Sequence, residues 1–232
     1  MRLLFRIILI IFISYNNLFS QERFSPVEIP ILLSGTFGEF RKTHFHTGID
    51  IKTQGKEGLR VRAIDDGDLI RVKVSTSGYG KVVYIRHYDG TTSVYAHLKK
   101  FSPRIQQIIK RLQYEKKRFK IEKFFKKGEF KIKKSEIIGF SGNTGSSSGP
   151  HLHFELRDTE KEKPLNPLKY GYFVADTLAP RIHNLYLYKF LKERISNKIK
   201  IELIKNKNLY TCNDTIKING TFGFGYSGYD RQ

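Results

Sequence analysis

Leu69-Ile70-Arg71-Val72-Lys73-Val74, Val82-Val83-Tyr84-Ile85 and Ser93-Val94-Tyr95-Ala96 follow one another closely in this chain. Each run is short and rich in β-branched or aromatic side chains, which fit the pleated surface of a strand better than a helix. Val61 to Ile64 precedes them and has the same character. Asp66-Gly67 and Asp89-Gly90 stand between runs, and Asp-Gly readily takes the positive φ values that tight hairpins need. Residues 48–98 therefore read as an antiparallel sheet, and the chain as mainly β.

The pattern extends on both sides. Residues 21–35 form an extended lead-in, because Pro26 and Pro30 block a helix. Beyond the sheet, residues 99–134 carry 15 Lys or Arg against three Glu, a net +12. Ser102-Pro103 suits a helix N-cap and first turn. Ile105, Ile108, Ile109 and Leu112 then recur at helical spacing, so the sequence predicts a helix to about residue 120. This segment reads as a basic helical insertion between strands. Ile137 to Ser141 returns to β. The small, polar loop Gly142 to Pro150 leads into His151-Leu152-His153-Phe154-Glu155-Leu156, an alternating strand. Asp176 to Pro180 reads as a boundary. Residues 181–232 alternate again, as part of a second β-rich domain.

At the start, Arg2 and Arg6 precede the apolar run Ile7 to Ile13, which is too short for a bilayer core of about 30 Å. Residues 1–20 are expected to be an export signal, leaving 21–175 as the main domain and 176–232 as the partial one. Export points to the periplasm or cell envelope, with membrane contact only if the signal segment is retained. Cys212 is the only cysteine, which excludes an internal disulfide framework and a thiolate ligand or nucleophile in the first domain. The formal charge of +20 draws the chain to polyanions. For an exported chain these are wall polymers or anionic lipid, and nucleic acid is not expected.

Four of the seven histidines fall in two tight groups, His44 with His46 and His151 with His153. Residues two apart on a strand share a face. His46 and Asp50 share one as well if their segment is extended. Imidazole and carboxylate are zinc ligands, and two nitrogens plus one oxygen leave a fourth position open, as catalytic sites do. Spacing alone does not choose between His44 and His46, or between His151 and His153.

Arg41-Lys42-Thr43-His44-Phe45-His46-Thr47-Gly48-Ile49-Asp50 resembles the first metal motif of the LytM/lysostaphin-like zinc metallopeptidases, peptidase family M23. Tyr95-Ala96-His97-Leu98 resembles the family's middle motif. Gly142-Asn143-Thr144-Gly145 with Ser148-Gly149-Pro150-His151-Leu152-His153-Phe154-Glu155 resembles its last. The resemblance covers residues 32–168. It implies a compact antiparallel β core, Zn2+ held by His46, Asp50 and His153, and His97 and His151 as catalytic residues; His44 is then not a ligand. It also implies hydrolysis of peptide bonds in peptidoglycan cross-links or stem peptides. The rival classes are a non-enzymatic regulator of wall hydrolases and a cationic wall-binding module. Residues 99–134 are expected to contact anionic wall polymer, flank the groove or cover the site. His87 and His183 match no motif and are expected to be surface or packing residues. Glu155, two residues from His153, is a candidate partner of that ligand, although a solvated or structural carboxylate is the plainer expectation.

Overall fold

The computed structural model describes residues 24–41, 43–172, 174, 179–207, 209–213 and 215–229. The expected export signal and Asp176 to Leu178 of the expected boundary lie outside them. The chain divides into two compact units, residues 1–175 and 176–232.

The first unit runs β1 (Leu33–Gly35), β2 (Phe40–Arg41), β3 (His44–Phe45), β4 (Ile49–Lys52), β5 (Arg60–Arg62), β6 (Gly67–Val74), β7 (Lys81–His87) and β8 (Thr91–Ala96). It continues through β9 (Lys100–Phe101), α1 (Pro103–Lys116), β10 (Ile121–Phe124), β11 (Lys131–Ile132), β12 (Ile137–Phe140), β13 (His151–Asp158) and β14 (Pro164–Leu165). The main sheet is antiparallel, in the order β1-β4-β13-β8-β7-β6-β10, with β11 also on β6 and β14 on β13. A second sheet has the order β5-β12-β9, and β2 and β3 form a hairpin. The mainly β, antiparallel expectation holds. The run beginning at Val61 belongs to the second sheet, not to the one formed by β6 to β8.

The core follows from alternation. Leu152, Phe154 and Leu156 of β13 and Ile49 and Ile51 of β4 are fully buried on one face of the main sheet. Ile105 and Ile109 of α1 join the same core, with Ile108 and Leu112 partly buried against it. Each such side chain taken fully from water contributes about 1.5–3 kcal/mol. The alternate residues of β13, His151, His153 and Glu155, therefore point from the opposite face, away from α1. The basic helix does not cover them.

Two expectations need correction. Asp89-Gly90 turns the chain between β7 and β8, with Gly90 at φ 83° and Asp89 Oδ1 accepting from Thr91 N at 2.9 Å. Asp66-Gly67 makes no hairpin. Gly67 opens β6 paired with His87, and a Cβ there would press on the Arg86 carbonyl. Glycine is needed at 67 for close approach, not for a positive φ. The helix also ends at Lys116, not near 120. Lys117 takes a left-handed conformation (φ 48°), and Arg118 N donates to Gln113 O at 3.1 Å, closing the last turn. Residues 121–124 and 131–132 then add strands to β6, so the insertion is part helix and part sheet edge.

The second unit holds β15 (Arg181–Leu191), β16 (Arg194–Ile201), β17 (Ile204–Asn206), β18 (Leu209–Thr211) and β19 (Phe222–Tyr229). Its sheet has the order β16-β15-β19, and β17 pairs with β18. Among the described residues, no helix is long and apolar enough to cross a membrane.

Gly48 shows how closely the first unit is built. A Cβ on it would run into the Phe154 carbonyl and stand 2.8 Å from Glu155 Cγ. Gly48→Ala is expected to lower stability by about 1–3 kcal/mol, the usual cost of overpacking. Urea denaturation checks this, and an unchanged midpoint would refute it.

Candidate metal centre

Asp50 sits in β4 directly opposite His153 in β13, and His153 also pairs with Ala96 of β8, the residue before His97. Sheet order thus gathers residues that are far apart in sequence. His46 lies in the short link between β3 and β4. Its Nε2 is 3.0 Å from His153 Nδ1 and 3.2 Å from Asp50 Oδ1, and His153 Nδ1 is 2.9 Å from that same oxygen. All three side chains are buried. His44, in β3, is exposed and bonds to Thr43 Oγ1, outside the cluster.

The outer ring nitrogens fix the inner ones. His46 Nδ1–H donates to the Thr36 carbonyl at 2.8 Å. His153 Nε2–H donates to Glu155 Oε1 at 2.8 Å. With those protons placed outward, His46 Nε2 and His153 Nδ1 turn lone pairs toward the Asp50 carboxylate. Three acceptors this close repel one another unless a cation or a proton stands among them. Four-coordinate zinc with bonds of 2.0–2.1 Å spaces its ligand atoms about 3.3 Å apart. The observed separations are near this, and the donor set fits zinc.

Without a metal, protons answer the same need. Burial opposes charge on His153, but hydrogen bonds and attraction from Asp50 and Glu155 outweigh it and raise its pKa. Burial alone would raise Asp50, yet His151, His153 and His46 hold it well below the usual carboxylate range.

Further residues support the cluster. Arg41 Nη2 donates to Asp50 Oδ2 at 2.6 Å, which leaves Oδ1 for the cluster. Gly35, opposite Asp50 in β1, makes room, since a Cβ there would collide with the Arg41 guanidinium. Glu155 is fully buried, which corrects the expectation of a solvated carboxylate. It accepts from His153, from Tyr79 Oη, from Thr47 Oγ1 at 2.7 Å and from Arg157 Nη2 at 2.6 Å. Burial would raise its pKa, but His153, Arg157 and Tyr79 bring it down to about 2. Spacing and alternation assign no role to Arg41, Tyr79 or Arg157. For Arg157 a signal was present, two residues beyond Glu155 on the same strand face.

His97 and His151 stand beside the cluster with ring centres 4.8 Å apart. His97 Nδ1–H donates to the Thr144 carbonyl at 2.7 Å, and His151 Nδ1–H to the Gly149 carbonyl at 2.8 Å. Each therefore presents Nε2 to the site, and His151 Nε2 is 3.5 Å from Asp50 Oδ1. His97 adopts a left-handed conformation at φ 58°, which bends the chain sharply as it leaves β8. Burial, aided by repulsion from His151 and His153, lowers its pKa to about 4. His87 is buried and held at both nitrogens, by the Asp66 carbonyl and Ser93 Oγ, as a packing residue. His183 is exposed in β15.

The M23 peptidase family model matches residues 44–114 and 114–167, more than half of the chain. The DD-carboxypeptidase/endopeptidase Mpg of Neisseria meningitidis is 37% identical over 123 residues, 53% of this chain and 22% of the relative. The murein hydrolase activator NlpD of Escherichia coli is 32% identical over 123 residues, 53% of this chain and 25% of the relative. The chain thus spans about a quarter or less of the length of these curated relatives. Among solved structures, a mutant catalytic domain of the prophage-encoded M23 protein EnpA from Enterococcus faecalis is 25% identical, with a TM-score of 0.46, covering 65% of this chain and 96% of that one. With the family model matched across the residues that build the cluster, the chain belongs to peptidase family M23.

Proposed function

We propose that this chain is a zinc-dependent endopeptidase that hydrolyses peptide bonds in the cross-links or stem peptides of peptidoglycan. The observation that carries the reading is the convergence of His46 Nε2, Asp50 Oδ1 and His153 Nδ1 within reach of one ion. These three residues would hold the metal. Zinc bound there supplies Lewis acidity and lowers the pKa of water toward about 7.

The remaining steps belong to the chain's own side chains. His97 and His151, each anchored through Nδ1, work through Nε2. His97 stays neutral down to about pH 4, which supports it as the proton acceptor of the pair. His151 is the partner that holds charge developing on the scissile carbonyl oxygen. Arg41 and Glu155 orient Asp50 and His153 from behind. On this reading the chain works in the cell envelope, and residues 1–20 are the segment that directs it there.

The similarity to an activator of murein hydrolases favours a second reading, in which the chain regulates a hydrolase and cuts nothing itself. One experiment separates the two. Purified protein, loaded with zinc, is incubated with peptidoglycan sacculi, and products are identified by mass spectrometry. The expected result is a single equivalent of zinc per chain and peptides cut at one type of bond. Zinc binding without cleavage would leave only the regulator, and no zinc binding would overturn the metal site itself.

A further inference from the structure

The side of α1 turned from the core carries a second constellation that the metal centre does not use. Gln106, Lys110, Gln113, Tyr114 and Lys117 follow at intervals of four, three, one and three, so they form a stripe along one face, beside the buried stripe of Ile105, Ile109 and Leu112. At the end of the stripe the chain doubles back. Lys117 N donates to Tyr114 O at 3.2 Å, and Gln113 Nε2 donates to Phe119 O at 2.7 Å. This brings Arg118 and Phe119 against the stripe and encloses a shallow groove of about 470 Å³.

The lining has three chemistries. Tyr114 and Phe119 expose 72% and 60% of their surface, with Lys110 Nζ 5.9 Å from the centre of the Tyr114 ring, so aromatic surface and charge stand together where a ligand can reach both. Gln106 offers an amide to hydroxyl groups. Lys110, Lys117 and Arg118 supply positive charge, and none of them forms an ion pair among the described residues. Arg111, Lys116 and Lys120, neighbours of these residues in sequence, likewise have no acidic partner among the described residues. Lys117 is placed at some cost. It occupies the left-handed position after the helix that glycine normally takes, where a side chain costs about 1–2 kcal/mol.

We infer that this groove binds an anionic polysaccharide, with sugar rings stacked on Tyr114 and Phe119 and carboxylate or phosphate groups paired with Lys110, Lys117 and Arg118. Its volume falls in the range of ligand pockets and suits a short run of sugar units. Tyr114 and Phe119 share the groove with Gln106 and three cationic side chains, a lining that suits a hydroxyl-bearing anionic polymer better than the acyl chains of a bilayer. The groove lies on the far side of the main sheet from His153, so it holds a ligand independently of the metal centre.

Binding of the intact chain to polygalacturonate tests this, with methyl-esterified polygalacturonate, phosphatidylglycerol vesicles and oligothymidylate as comparison arms. The expected order places polygalacturonate well above the other three. The Lys117→Gly, Arg118→Gln double variant is expected to lose about tenfold or more in affinity, since two charge contacts go. Glycine suits the backbone at 117, so this variant is expected to fold at least as well, with an unchanged circular dichroism spectrum. Tyr114→Ala, at an exposed position, is expected to weaken polygalacturonate binding as well. Equal or tighter binding to vesicles or to oligothymidylate would overturn the proposal. So would polygalacturonate binding that Tyr114→Ala leaves unchanged, because diffuse charge alone would then explain it.

Discussion

His153→Ala is expected to abolish zinc binding and to lower peptidoglycan hydrolysis by about three orders of magnitude or more, the scale on which a metal contributes to catalysis. The reason is local. His153 supplies Nδ1 to the cluster and occupies the space between two buried carboxylates, those of Asp50 and Glu155. Alanine leaves both without their shared partner, so a stability loss of about 3–5 kcal/mol accompanies the loss of metal. Asp50→Asn separates the two effects. It keeps the shape and weakens the ligand, so zinc affinity should fall while the far-ultraviolet spectrum persists. Metal analysis and product mass spectrometry check both variants. Zinc retained at full stoichiometry in His153→Ala would reject the assignment of this ligand.

Glu155→Gln carries the second large effect, and it acts through His153. The carboxylate fixes which nitrogen of His153 carries the proton and raises the basicity of the other. The amide loses the charge that pairs with Arg157. Zinc affinity is expected to fall about 10–100-fold, with hydrolysis recovering at saturating zinc. A merely structural role would change stability and leave affinity alone, so competitive zinc titration decides the matter. The metal-free protein gives an independent reading. Glu155 has its pKa depressed from 4.5 to about 2 in the fold, so it stabilises fully above pH 4.5 and loses that contribution as pH falls toward 2. The glutamine variant should lack that part of the acid slope.

Much of this was legible in the residues, and the rest was not for physical reasons. Strands β6, β7, β8 and β13 announce themselves as short runs of β-branched and aromatic side chains, most of them buried on both faces of the sheet. The pairing of Asp50 with His153 was not visible, because β4 and β13 are neighbours only through sheet order. The choice of His46 over His44 rests on where the β2–β3 hairpin ends, which spacing does not encode. Glu155 was on the right face by alternation, but its burial depends on Tyr79 and Arg157 closing over it. The strands at 121–124 and 131–132 were hidden because an edge strand rich in lysine looks like solvent-exposed polar chain. Ile121, Phe125 and Ile132, with Phe130 partly buried beside them, betray the side that packs inward.

The main sheet separates two kinds of chemistry, the histidine cluster on one face and α1 on the other. A chain held to a long polymer through its helical side would be tethered, not captured, and its other face would sweep the neighbouring strands. Turnover would then depend on local concentration, set by how near the anchor lies to the next cleavable peptide, more than on how tightly any one peptide is gripped. Salt would loosen the tether and dilute the chain from the polymer, leaving the histidine cluster itself unaltered.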